Sequence, residues 1–110
     1  MKTIKLIALD LDGTLLNMEK KVPQGNYEAL KQCEAAGIQI VPATGRGVGG
    51  IPPMIRELPG ANYAITTNGA VIANLKTNKA IQTCGLSNEM VQRILNIAKK
   101  YHSATDPFID

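Results

Sequence analysis

The chain has 110 residues, 45% of them hydrophobic and 19% charged, with a net charge of +3. Length and composition allow one small globular domain, and plentiful aliphatic residues with a low net charge exclude a disordered chain. The longest apolar stretches, such as Ile4–Leu11, are broken by Lys5 and Asp10 and fall far short of the roughly 20 residues of a membrane span.

Near the amino terminus, apolar character lasts only from Leu6 to Leu9 before Asp10, with no small-residue cleavage site after it. A cytoplasmic location is expected. The lysines are scattered, and one Phe and three Tyr offer little for base stacking, so no nucleic-acid partner is expected. Cys33 and Cys84 lie far apart and show no metal-type spacing, which predicts free, buried thiols.

Thr3–Leu9 is a mostly apolar run ending at an acid, the pattern of a strand buried in a parallel sheet. Val22-Pro23 opens a helix over Gln24–Ala36, and Gly37 stops it. Ile38–Val41 reads as a second buried strand. The glycines and prolines of Gly47–Pro53 favour a loop, with a short helix starting at Pro52 or Pro53 and ending before Pro59-Gly60.

Tyr63–Thr67 is a third strand, stopped by Asn68-Gly69. Val71–Asn74 and Lys79–Thr83 flank a turn sequence and predict a hairpin. Ser87 caps a helix through Tyr101, whose stripe of Met90, Val91, Ile94, Leu95, Ile97, Ala98 and Tyr101 is expected to be a packing face. His102 has no partner at ligand spacing.

Strand–helix–strand–helix–strand at these spacings means right-handed crossovers and a parallel α/β sheet. Sites in such sheets form at the carboxyl ends of the strands. Three loops therefore converge there: Asp10–Leu15, Ala43–Gly47 and Thr67–Ala70.

Asp10 and Asp12 follow the first strand with one residue between them, which puts both carboxylates on one side of an extended chain. Two like charges so close repel unless a cation or a shared proton relieves them. Mg²⁺ suits the pair, since it takes one or two carboxylates together with a phosphate. Gly13 frees the backbone to turn, and Thr14 offers a hydroxyl and an amide to an anion. A D-x-D pair also serves nucleotide-sugar transferases, but nothing else here supports binding of such a donor.

Asp10-Leu11-Asp12-Gly13-Thr14-Leu15-Leu16 resembles the first motif of the haloacid dehalogenase-like hydrolases. Pro42-Ala43-Thr44-Gly45-Arg46 resembles their second motif, and Ile65-Thr66-Thr67-Asn68-Gly69-Ala70 resembles the N-G-A segment of their Cof-type phosphatase branch. The resemblance covers essentially the whole chain. It implies that Asp10 is the nucleophile that becomes an aspartyl phosphate, and that Asp12 is the general acid and base. It implies Mg²⁺ at the Asp10 carboxylate and the Asp12 main-chain carbonyl. Thr44 and Gly45 would hold phosphoryl oxygens, with Gly13 and Asn68 in the same cleft. Arg46 would either steer the substrate or form a structural pair. The substrate class would be small phosphorylated metabolites such as sugar phosphates.

Two further family motifs are not found: a lysine that stabilises the aspartyl phosphate, and a G-D-x-x-N-D-like segment that completes the Mg²⁺ site. The acids after residue 86 are Glu89, Asp106 and Asp110, and Lys99 and Lys100 fall on the polar side of the last helix. The resemblance then implies the front half of a phosphatase. Residues 1–78 would be a partial Rossmann-like core of three parallel strands with helices. Residues 79–110 would begin an α/β cap, with Ser103–Asp110 starting another strand. Two outcomes stay open: a phosphatase of feeble activity, and a non-catalytic fragment that at most binds Mg²⁺ or phosphate weakly. A strand meant for the sheet centre would become an edge, which predicts homo-oligomers through that edge or through the cap helix.

Overall fold

Alternation and chain direction explain most of what the computed structural model, which describes residues 2–103, contains. Strand β1 (Leu6–Asp10) leads through a long loop to helix α1 (Gln24–Ala35) and back to β2 (Gln39–Ala43). A 3₁₀ turn at Val48–Gly50 and the one-turn helix α2 (Pro53–Arg56) precede β3 (Tyr63–Thr66). A second 3₁₀ turn, Thr67–Gly69, is followed by β4 (Val71–Asn74), β5 (Lys79–Thr83) and helix α3 (Asn88–Lys100). Among the described residues no helix is long and apolar enough to cross a membrane. The extra strand expected over Ser103–Asp110 lies, from Ala104 onward, outside the described residues.

The five strands form one sheet in the order β1-β2-β3-β4-β5. The first three run parallel, as the strand–helix–strand pattern predicts. The expected hairpin is present and extends the same sheet, since β4 pairs antiparallel with both β3 and β5. Arg56 ties this hairpin to the middle of the chain, donating to the Asn78 side chain in its turn and to the Val48 carbonyl.

Strand β2 runs two residues further than expected, through Pro42 and Ala43. Proline inside a paired strand removes one ladder donor. Its neighbours on that side of the strand, Ile40 and Thr44, donate to the Gly60 and Ile65 carbonyls at 3.0 and 2.9 Å. The missing N–H at Pro42 therefore falls on the β3 side, where the named pairing of β2 with β3 reduces to Ala43 opposite Ile65. Against β1 the pairing is continuous from Leu6–Gln39 to Asp10–Ala43.

One face of the sheet carries the core. Leu30 of α1, Ile55 of α2 and Leu58 pack with Ile40, Ala64, Leu11, Leu15 and Leu16, and half-buried Ile7, Leu9 and Cys33 join them. The buried Thr66 hydroxyl donates to the Val71 carbonyl at 3.0 Å, so this polar group costs the core little. Gly60 closes the turn into β3 at φ +75°, and a Cβ there would lie 3.2 Å from both the Ile38 carbonyl and Ile40 Cγ1. Gly60→Ala is therefore expected to destabilise the fold by about 1 kcal/mol or more, read as a lower urea midpoint.

Three expectations need correction. β1 is not buried on both faces: its burial alternates, and among the described strands it stands at the edge of the sheet. Leu6 is 56% exposed. The apolar stripe of α3 is only partly covered among the described residues: Val91, Leu95 and Ala98 are half-buried, while Met90, Ile94, Ile97 and Tyr101 are exposed. Helix α3 forms nonetheless, because Ser87 accepts a hydrogen bond from the Met90 amide and basic residues fill the last turn. Cys84 is exposed, since both sides of the adjoining β5 are uncovered, while Cys33 is half-buried; both thiols are free.

Candidate active site

Asp10 is the last residue of β1, at the carboxyl end of the parallel strands. Beyond it the chain folds back tightly. Thr14 N–H and Leu16 N–H donate to the Leu11 carbonyl, and Leu15 N–H donates to that of Asp10. Gly13 permits this turn at φ +78°, the conformational role its position predicts. These turn bonds use the carbonyls of Asp10 and Leu11 and leave that of Asp12 out. Leu11 is fully buried between two exposed acids, so the alternation expected of an extended chain continues past the strand end.

The Thr14 hydroxyl donates to Asp10 Oδ2 at 2.9 Å, fixing one carboxylate oxygen. Across the sheet, β2 ends by delivering Thr44, whose hydroxyl accepts from the Arg46 amide at 3.1 Å. The Thr67 and Asn68 amides donate to the Arg46 and Thr44 carbonyls, lashing the loop after β3 to the loop after β2. That third loop holds three successive residues with positive φ: Thr67 at 50°, Asn68 at 52° and Gly69 at 98°. A β-branched residue is costly in this region, and such strain persists where neighbouring contacts fix it. Its result is to bring the Asn68 side chain against Gly45. A Cβ on Gly45 would lie 2.8 Å from Asn68 Oδ1, so the glycine makes room for the close approach.

These loops enclose an open cleft of about 260 Å³ lined by Asp10, Ala43, Thr44, Gly45, Ile65, Asn68 and Gly69. Four of the sequence candidates, Asp10, Thr44, Gly45 and Asn68, thus share one concave surface. Gly13, Asp12 and Arg46 do not line it. Asp12 instead meets two cations: Lys20 Nζ stands 3.1 Å from Oδ1, and Arg46 Nη2 lies 3.1 and 3.2 Å from Oδ1 and Oδ2. The hydrogen bond from Lys20, with the charges of Arg46 and Lys20, holds the Asp12 carboxyl below its ordinary value of 3.8 despite some desolvation. Asp12 is accordingly a carboxylate at neutral pH.

Sequence reasoning missed Lys20. Its signal is a turn after the D-x-D-G-T loop, in which Asn17 Oδ1 accepts from the Glu19 and Lys21 amides and Lys20 adopts φ +61°. No hydrophobic period marks such a turn.

The Asp10 carboxylate and the Asp12 main-chain carbonyl are oxygen donors of the kind Mg²⁺ takes, with water and phosphate supplying the rest, whereas the Asp12 carboxylate is engaged by Lys20 and Arg46. The donor set therefore fits this ion in part. Among the described residues, no group of three His, Cys, Asp or Glu side chains could hold a metal on its own.

An aspartate at the end of one strand, a hydroxyl just after the next and an asparagine just after the third share one cleft at the carboxyl ends of parallel strands in an α/β fold. The chain belongs to the haloacid dehalogenase-like hydrolase family, whose model matches residues 7–109. The matches fall within its Cof-type branch. The chain is 44% identical over 69 residues to the phosphatase YwpJ of Bacillus subtilis, covering 63% of this chain and 24% of that one. It is 31% identical over 100 residues to the 5-amino-6-(5-phospho-D-ribitylamino)uracil phosphatase YcsE of the same organism, covering 91% and 40%. Among solved structures, the phosphatase BT1666 of Bacteroides thetaiotaomicron superposes with a TM-score of 0.79 at 30% identity, covering 90% of this chain and 36% of that one. The chain spans less than half the length of each of these relatives.

Proposed function

We propose that this chain carries the nucleophile half of a Mg²⁺-dependent phosphatase of small phosphorylated metabolites. The observation that carries the reading is the cleft itself, in which Asp10 at the end of β1 faces Thr44, Gly45 and Asn68. The relatives' names support the substrate class: one is a pyridoxal phosphate phosphatase of Escherichia coli, and the structural neighbour BT4131 is a sugar phosphatase.

In the proposed reaction an Asp10 carboxylate oxygen attacks phosphorus in line. The bond from phosphorus to the leaving oxygen breaks, and that oxygen keeps the electron pair and takes a proton from the protonated form of Asp12, the minor one at neutral pH. Water then attacks the aspartyl phosphate while Asp12 accepts its proton, releasing inorganic phosphate and restoring the Asp10 carboxylate. Thr44 and the Gly45 amide hold the phosphoryl oxygens through both steps. Thr14 keeps Asp10 aimed, since its hydroxyl fixes Oδ2 and leaves Oδ1 for attack. Asp10 and the Asp12 carbonyl would hold Mg²⁺, which supplies charge neutralisation between two anions that must meet. The cations on Asp12 favour its ionised form, which suits the water-activating step.

Residues 1–78 form the core part in this reading and residues 79–110 the start of a cap. The exposed edge of β1 and the exposed stripe of α3 are surfaces through which copies would associate in a cytoplasmic protein. A second reading, a non-catalytic binder of Mg²⁺ or phosphate, is favoured by the missing third acidic ligand among the described residues. Acid-quenched intact mass after incubation with an aryl phosphate and Mg²⁺ separates the two. One phosphoryl group on the peptide bearing Asp10 is expected. Its absence, or a phosphoryl group elsewhere, refutes the catalytic reading and leaves the binder.

A further inference from the structure

Asp12 holds more positive charge than one carboxylate needs. Lys20 and Arg46 both reach its Oδ1, and they reach it from opposite parts of the chain. The two are held differently. Arg46 engages the carboxylate through a single nitrogen that straddles both oxygens, while its other terminal nitrogen reaches out to the Gly50 carbonyl at 3.4 Å. The strong form of an arginine–carboxylate pair uses two nitrogens in parallel, so this contact is one that a better acceptor displaces. The Arg46 backbone, by contrast, is fixed at the cleft rim: its amide donates to Thr44 Oγ1 and its carbonyl accepts from Thr67. A long side chain on a fixed base beside cleft-lining Gly45 can pass from Asp12 to an anion in the cleft.

Such a move strips a counter-charge from Asp12 just as a second anion arrives nearby. Lys20 removes that penalty. The Asn17 turn holds its backbone in the left-handed region, and its ammonium reaches Oδ1 through a 3.1 Å contact that does not run through Arg46. Lys21, one residue on, faces away to Glu19 at 3.9 Å.

We propose that Lys20 is a positioning residue that retains the Asp12 carboxylate and so frees Arg46 for the phosphoryl group of the substrate. The inference rests on the phosphate-cleft reading above.

The test is a titration of the 110-residue chain with inorganic phosphate in Mg²⁺-free buffer, followed by the amide signals of Thr44 and Gly45. Lys20→Met is expected to weaken binding about three- to fivefold, the scale of one exposed charge pair. Lys20→Arg is expected to restore it, and Lys21→Met, which removes the same charge next door, to leave it unchanged. In an Asp12→Asn background no carboxylate retains Arg46, so adding Lys20→Met is expected to have no effect. Equal weakening in both backgrounds would mean simple through-space attraction and would overturn the proposal, as would no weakening at all. A wild-type chain whose Thr44 and Gly45 signals ignore phosphate would refute the cleft reading and this inference together.

Discussion

Leu11→Ala is expected to lower stability by about 2–5 kcal/mol, a large share of what a domain of this size possesses. The side chain is fully buried and belongs to the one core cluster, with Leu15, Leu16 and Ile40 in the same cluster. The substitution also reaches the site. Leu11 is the pin between Asp10 and Asp12, and its carbonyl accepts the two amides that turn the loop back. Urea unfolding should show a much lower midpoint, and the Thr14–Asp10 contact should be lost before global unfolding. A midpoint shift below about 1 kcal/mol would mean that the loop is anchored elsewhere.

The largest catalytic effect is expected at Asp10. In Asp10→Asn the attacking oxygen becomes an amide oxygen, no aspartyl phosphate forms, and release of phenol from an aryl phosphate should fall to background. Asp12→Asn should behave differently. Proton transfer contributes roughly 10²–10⁴-fold, and a phenolate leaves without much help, so the loss falls on hydrolysis of the intermediate. The phosphorylated chain should then persist longer than in wild type. Rapid-quench measurement distinguishes the two variants. Turnover that survives Asp10→Asn would remove Asp10 as nucleophile.

Much of this arrangement was legible in the chain. The apolar run ending at Asp10, the glycine after α1 and the Asn68-Gly69 stop marked the parallel strands and the three loops at their ends. These are local signals, set by periodicity and backbone conformation. What escaped was set by neighbours. The stripe on α3 has helical spacing whether or not something covers it, so periodicity could not tell that Ile94 and Ile97 stand exposed. The apolar content of β1 could not show that it lies at an edge, although the resemblance anticipated it. Thr44, Gly45 and Asn68 were found because motifs marked them. Lys20 was not, because its place at Asp12 depends on an Asn17 turn whose geometry no pattern of hydrophobicity encodes.

Pro42 has a consequence for how the molecule holds together. On either side of it the backbone forms two separately laced units, β1 with β2 and β3 with the hairpin. Between them the seam is stitched by the Ile40 and Thr44 amides above and below the gap, by the pairing of Ala43 with Ile65, and by the Thr67 and Asn68 amides. The cleft opens directly over this seam, with Asp10 and Thr44 on one bank and Ile65 and Asn68 on the other. An anion seated there would staple the two units, and phosphate is then expected to raise the cooperativity of unfolding, read as a steeper urea transition.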